Sequence, residues 1–131
     1  MRFQLFALLF CMAAPAAGPP VWAASHDNNV EWGGLSHVAS LDRTPLCPLA
    51  GQSFALRVQS WQGDLTAVRV RLDDGGVTWI DAAPAGTRGP YDIWEAQVPA
   101  PASSAIEFLF EAADGGDVDY LGPAGPSDAL P

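Results

Sequence analysis

Tyr91-Asp92-Ile93-Trp94-Glu95-Ala96-Gln97-Val98 decides the fold class. Trp94, Ala96 and Val98 fall on one parity, Ile93, Glu95 and Gln97 on the other. Successive side chains of an extended chain point to opposite faces, so this alternation predicts a half-buried strand. Ala105 to Ala112 repeats the pattern, with Ile106, Phe108 and Phe110 on one face and Glu107, Leu109 and Glu111 on the other. Between the two runs lies Pro99-Ala100-Pro101-Ala102-Ser103-Ser104. Proline has no N–H to give to a ladder, so this segment reads as a turn from one strand to the strand that answers it.

The same reading extends outward. Ser53 to Gln59 alternates, with Phe54, Leu56 and Val58 inward and Ala55, Arg57 and Gln59 outward. Trp61-Gln62-Gly63-Asp64 turns the chain, and Leu65 to Leu72 alternates again with Val68, Val70 and Leu72 inward. Asp73-Asp74-Gly75-Gly76 is a hairpin signal, because glycine reaches positive φ at no steric cost. Val77 to Ala82 follows as a strand, and Ala83 to Pro90 reads as a loop. After Asp114-Gly115-Gly116, a last strand runs from Asp117 to Leu121. Val30-Glu31-Trp32 is a short strand candidate, and His37 to Pro48 reads as irregular connection. About seven short strands with regular turn signals and no amphipathic helix predict an all-β, immunoglobulin-like sandwich of antiparallel strands. The absence of a Cys-Trp-Cys pattern excludes the antibody type.

The N-terminus reads as an export signal. Arg2 precedes an apolar run from Phe3 to Ala14, too short to span a bilayer as a helix. Cleavage is placed after Ala23, with Ala14-Pro15-Ala16 as the earlier option, which predicts a secreted or periplasmic protein and no membrane association after cleavage. The expected organisation is a signal peptide over 1–23, a flexible start over 24–29, one sandwich module over 30–122 and a Pro/Gly-rich tail or linker over 123–131. The full chain has 15 acids, 6 lysines plus arginines and a net charge of −9. Such an acidic surface argues against nucleic acid and anionic membranes as partners. Beyond residue 23 the single cysteine is Cys47, so no intrachain disulfide forms there; it reads as a small apolar residue tucked beside Pro45 and Pro48.

Catalytic chemistry is hard to place. A glycosidase needs two carboxyl groups roughly 5–10 Å apart. Glu107 and Glu111 share a strand face but lie about 13 Å apart at strand rise. Asp117 and Asp119 are about 7 Å apart by the same rule, yet nothing nearby in sequence raises either pKa, and they read as charges guarding an edge strand. Asp114, Asp117 and Asp119 match no EF-hand spacing. His26 and His37 lack zinc-spaced partners and read as exposed loop residues. No catalytic residue, metal ligand or cofactor is therefore assigned. Arg57, Arg69 and Arg71 face outward and are expected to pair with Glu95, Glu107 or Glu111. Sugar rings stack on exposed indoles. Trp94 reads as core, so Trp94→Ala is expected to cost roughly 3–5 kcal/mol. Trp61, in a turn, and Trp79, out of phase with Ile80, are the carbohydrate-binding candidates. Trp61→Ala is expected to leave stability nearly unchanged.

One ordered series carries a resemblance. It comprises Val30-Glu31-Trp32-x-Gly34-Leu35-x-His37, Phe54-Ala55-Leu56-Arg57-Val58, Gly63-Asp64-Leu65-Thr66-x-Val68-x-Val70-Arg71, Tyr91-x-x-Trp94-Glu95-Ala96, Phe108-x-Phe110 and Asp117-x-Asp119-Tyr120-Leu121-Gly122. In order and spacing it resembles the N-terminal immunoglobulin-like (E-set) module of α-amylase-family glycoside hydrolases, the family 13 enzymes such as neopullulanase and cyclomaltodextrinase, and is similar to carbohydrate-binding module family 34. The resemblance implies a non-catalytic module of an exported α-glucan-active enzyme. Its partners would be starch, maltooligosaccharide or a catalytic (β/α)8 barrel. The chain ends at Pro131, so none of the barrel's catalytic residues can be carried over. The alternative is a free-standing secreted or periplasmic protein-interaction β-sandwich.

Overall fold

The computed structural model describes residues 26–103 and 105–131. The signal-peptide reading of 1–23 lies outside the described residues. Among the described residues nine strands run in chain order: β1 (Arg43–Thr44), β2 (Phe54–Trp61), β3 (Ala67–Asp73), β4 (Val77–Asp81), β5 (Ala83–Arg88), β6 (Tyr91–Val98), β7 (Glu107–Asp114), β8 (Asp117–Gly122) and β9 (Gly125–Ser127). They form two antiparallel sheets, ordered β1-β2-β6-β5 and β4-β3-β7-β8-β9. The fold is a β-sandwich. Its core joins the inward parity of both sheets: Phe54, Leu56, Val58, Trp94, Ala96 and Val98 from one, Val68, Val70, Leu72, Phe110 and Ala112 from the other.

The alternating runs became strands where expected, but their partners differ. β6 pairs β2 and β5, whereas β7 pairs β3 and β8. The proline segment after β6 therefore crosses from one sheet to the other, rather than closing a hairpin. Alternation reports which face is buried; it carries no information on which strand lies alongside. Ala83–Arg88, expected as a loop, is edge strand β5, with a register shift between Pro84 and Thr87. An edge strand tolerates the proline because its outer side needs no donor. Within the tail, Gly125–Ser127 pairs β8 as β9. Val30-Glu31-Trp32 does not form a strand; Trp32–Gly34 is a 3-10 turn. Ala55, Ile93 and Leu109 are buried although they lie on the outward parity.

A four-residue helix, α1 (Ala39–Asp42), precedes β1. Asp42 is fully buried and accepts from Val38 N–H at 2.7 Å and from Arg88 Nη2 at 2.9 Å, which ties α1 to β5. Arg57 and Arg69 make the expected outward pairs, with Glu95 at 2.7 Å and Glu111 at 2.5 Å. Cys47 is exposed, not tucked among the prolines. His37 is half-buried, not an exposed loop residue: its Nδ1 lies 2.6 Å from the Arg57 carbonyl and its ring packs on Phe108 and Phe110. Among the described residues no helix is long and apolar enough to cross a membrane.

Candidate functional site

The N-terminal segment is laid down on aspartates. Asn29 N–H donates to Asp114 Oδ2 at 3.2 Å, Val30 N–H to Asp117 Oδ2 at 2.8 Å, and Glu31 N–H to Asp64 Oδ2 at 3.0 Å. The Trp32 indole Nε1–H then donates to Asp119 Oδ2 at 2.7 Å. These aspartates come from the turn after β2, the end of β7 and strand β8. Asp114, Asp117 and Asp119 are fixed by the β7–β8 pairing and Asp64 by the turn, and the segment is read out as a row of N–H groups against them. Hydrogen bonds to an ionised acceptor are about twice as strong as neutral ones. Asp117 and Asp119 thus hold the N-terminal segment rather than guard an exposed edge, and Asp119 is 6% exposed.

Such burial has an electrostatic consequence. Burial pushes the Asp64 carboxyl up to about 6; the Glu31 N–H opposes this, and repulsion from Asp114 adds to it. Asp119 is also raised, by burial first, with the Trp32 indole opposing and Asp117 adding. One carboxylate oxygen each from Asp27, Asp64 and Asp114 lies within 4.8 Å of the others. Sequence reading grouped Asp114 with Asp117 and Asp119. The fold groups it with two residues far away along the chain.

Beside this row is an open depression of about 450 Å³, lined by Glu31, Trp32, Asp117, Asp119 and Asp128. Trp32 is 44% exposed, and its bond to Asp119 holds the indole by its edge while the ring remains open to solvent. An indole face flanked by carboxylate acceptors can take the apolar face of a sugar ring and its hydroxyl donors. Asp117 and Asp119 serve here as acceptors, and no general-acid role is assigned to either.

Trp61 and Trp79 are not brought together; they lie on different sheets. Trp61 is half-buried at the end of β2, stacked on Tyr91 with ring centroids 4.8 Å apart. Trp79, on edge strand β4, is 36% exposed, with the Arg69 guanidinium 4.2 Å from its ring centroid. Trp94 is core, 8% exposed, its Nε1 donating to Ser60 Oγ at 3.3 Å. Sequence reasoning passed over Trp32. The signal available was its place in Val30-Glu31-Trp32, but its exposure depends on Asp119, 87 residues away.

These features define a class, a two-sheet β-sandwich module with an acid-held N-terminal segment. Comparison with solved structures finds the same fold in parts of larger proteins. No protein-family model matches the chain. It is similar to a cyclomaltodextrinase, with a TM-score of 0.63 and 18% identity over 76% of this chain and 17% of that one. It is similar to a cycloalternan-forming enzyme from Listeria monocytogenes in complex with a pentasaccharide substrate, at 0.52 and 23% identity over 62% of this chain and 8% of that one. A third likeness is to an uncharacterized protein from Listeria monocytogenes EGD-e in complex with glucose, magnesium and calcium, at 0.57 and 22% identity over 69% and 10%. The chain spans less than a fifth of the length of each. At these identities the likeness establishes the fold.

Proposed function

We propose that the chain is a non-catalytic module of an exported α-glucan-active glycoside hydrolase of the α-amylase family, of the N-terminal E-set kind, and that it binds starch or maltooligosaccharide or contacts a catalytic barrel. The observation that carries this reading is the backbone likeness to a cyclomaltodextrinase over 76% of the chain. The site chemistry agrees with it. Trp32, open at its ring and surrounded by Glu31, Asp117 and Asp128, is the first sugar-stacking candidate, and Trp79 on its edge strand is the second. Trp61 is largely engaged with Tyr91 and is the weaker of the two residues proposed from sequence. For the barrel contact, the groove lined by His37, Arg43, Arg71, Glu107, Phe108 and Leu109 offers an apolar floor with charged edges.

Maltoheptaose titrated against the purified domain tests the binding half. Tryptophan fluorescence should change saturably, and Trp32→Phe should alter the response more than Trp79→Ala. Absence of any response, together with unretarded migration in starch-containing native gels, would eliminate glucan binding and leave the domain-contact reading. Export is tested by the mass of the product recovered outside the cytoplasm, expected to begin after Ala23.

A second reading, a free-standing secreted interaction domain, has one observation in its favour, the exposure of Cys47. A thiol-sensitive dimer on non-reducing electrophoresis would support it, and a monomer would count against it.

A further inference from the structure

We propose that the groove beside the open end of β7 binds a small hydroxy acid, a monoanion that carries a hydroxyl group and an apolar body. The groove follows from the strand pairing. β8 pairs β7 only from Phe110 opposite Leu121 to Asp114 opposite Asp117. Glu107 to Leu109 therefore have β3 on one side and no strand on the other among the described residues. Arg43 of β1, at the edge of the other sheet, and His37 ahead of it also line the opening. The groove measures about 740 Å³, and its apolar lining includes Phe108, Phe110 and Leu121. A volume of that order suits a small molecule.

Charge and hydrogen bonding are both incomplete there. Five arginines lie among the described residues. Arg57, Arg69 and Arg88 pair with Glu95, Glu111 and Asp42. The two that make no ion pair among the described residues, Arg43 and Arg71, line this one groove. Glu107 lines it too and pairs with neither, so two arginines and one glutamate leave one positive charge when His37 is neutral. Two polar atoms, His37 Nε2 and Arg43 Nε, are buried with no hydrogen-bond partner among the described residues. His37 Nδ1 lies 2.6 Å from the Arg57 carbonyl, which only accepts. Nδ1 therefore carries the proton of the neutral ring, and Nε2 is a bare acceptor, whereas Arg43 Nε–H only donates. Both residues stand against Phe108, the His37 ring 5.4 Å and the Arg43 guanidinium 5.9 Å from its ring centroid.

Native structures pair buried donors and acceptors, because leaving one unmade costs folding free energy. One ligand meets every demand of this groove. Its hydroxyl donates to His37 Nε2, its carboxylate accepts from Arg43 and neutralises the spare charge, and its apolar body lies on Phe108, Phe110 and Leu121. A phosphomonoester brings nearly two negative charges against one positive. A neutral sugar brings hydroxyls and leaves both arginines without a counter-charge. The inference rests on neither glucan binding nor the barrel contact, and a seated ligand would exclude a barrel contact at this groove.

The probe is phenyllactate, titrated into the purified chain by calorimetry and, with isotope-labelled protein, by NMR. The expected result is saturable binding with a Kd of about 1 mM or tighter, and shifts at the Arg43 Nε–H and the His37 ring. Phenyllactamide lacks the charge and phenylpropionate lacks the hydroxyl; each should bind about tenfold more weakly. Arg43→Gln should also weaken binding about tenfold, and Arg71→Gln, which removes a screened charge, about threefold. If Arg43→Gln fails to fold, Arg71→Gln takes its place. Four results would each overturn the proposal: no saturable response at about 10 mM phenyllactate, equal affinity for the amide, equal affinity for phenylpropionate, or an unaltered affinity in the deciding arginine variant. Maltoheptaose titrated in parallel keeps the readings apart: silence there beside bound phenyllactate removes glucan binding and leaves this site.

Discussion

Trp61 ends β2 with its ring stacked on Tyr91, the residue opposite it in the register with β6. A turn position predicted from sequence is thus a strand end with a packed face. Truncating a fully buried aromatic costs about 3–5 kcal/mol, and Trp61 is half-buried, so Trp61→Ala should cost about 2 kcal/mol. Urea unfolding of the variant beside the parent measures it, and a change below about 0.5 kcal/mol would return Trp61 to the pool of free binding surfaces. Asp119 supplies a second test. Its folded pKa is raised, so its contribution is fully present below the unfolded value near 3.9 and is lost as pH rises through the folded value. Asp119→Asn keeps an acceptor for the Trp32 indole without the buried charge. It should therefore be more stable than the parent at pH 7, and the advantage should vanish below about pH 4. Unfolding midpoints across that range check the sign. An advantage that grows on acidification would mean that the ionised carboxylate is the favoured partner of Trp32.

Between elements, the 3-10 turn comes very close to β2. A Cβ on Gly34 would meet Trp61 N at 2.5 Å and Trp61 Cδ1 at 2.6 Å. The obstacle includes backbone of a central strand, which cannot move without disturbing the β2–β6 ladder. Gly34→Ala should cost about 1–3 kcal/mol. Gly76→Ala, whose Cβ would meet nothing within 4 Å, should be nearly neutral. Denaturation midpoints of the two variants test the contrast, and equal costs would show that the turn yields freely. This contact also marks the limit of what the chain discloses locally. β2, β3, β6, β7 and β8 were legible because alternation is written within each strand. β5 was not, because Pro84, Gly86 and Gly89 look like a loop until β6 supplies a partner. β9 was hidden for the same reason among Gly125 and Pro126. The aspartate row was invisible because Asp64, Asp114, Asp117 and Asp119 look like ordinary turn and strand-surface residues. Only the topology brings the N–H groups of Asn29, Val30 and Glu31 and the Trp32 indole onto them.

Over the whole molecule, excess negative charge competes with these local bonds. The chain carries a net charge of −9, and three arginine–carboxylate pairs hold part of the positive charge. The two pairs on the outer faces, Arg57–Glu95 and Arg69–Glu111, contribute about 0–1 kcal/mol each. Two unit charges about 20 Å apart in water repel by roughly 0.2 kcal/mol, and nine excess charges form on the order of 40 such pairs. Some of that repulsion persists in the unfolded chain, but its charges stand farther apart, so the compact state bears the larger share. Raising monovalent salt shortens the screening length from about 30 Å at 0.01 M to about 8 Å at 0.15 M. That damps the long-range repulsion more than the contacts at 2.5–2.9 Å within the ion pairs. The Tm should therefore rise by a few degrees with NaCl over this range, measured with EDTA present so that divalent cations do not contribute. A Tm that falls with salt would mean that the arginine pairs outweigh the net charge, and would move the main electrostatic support of the fold from the aspartate row to the outward faces of β2, β3, β6 and β7.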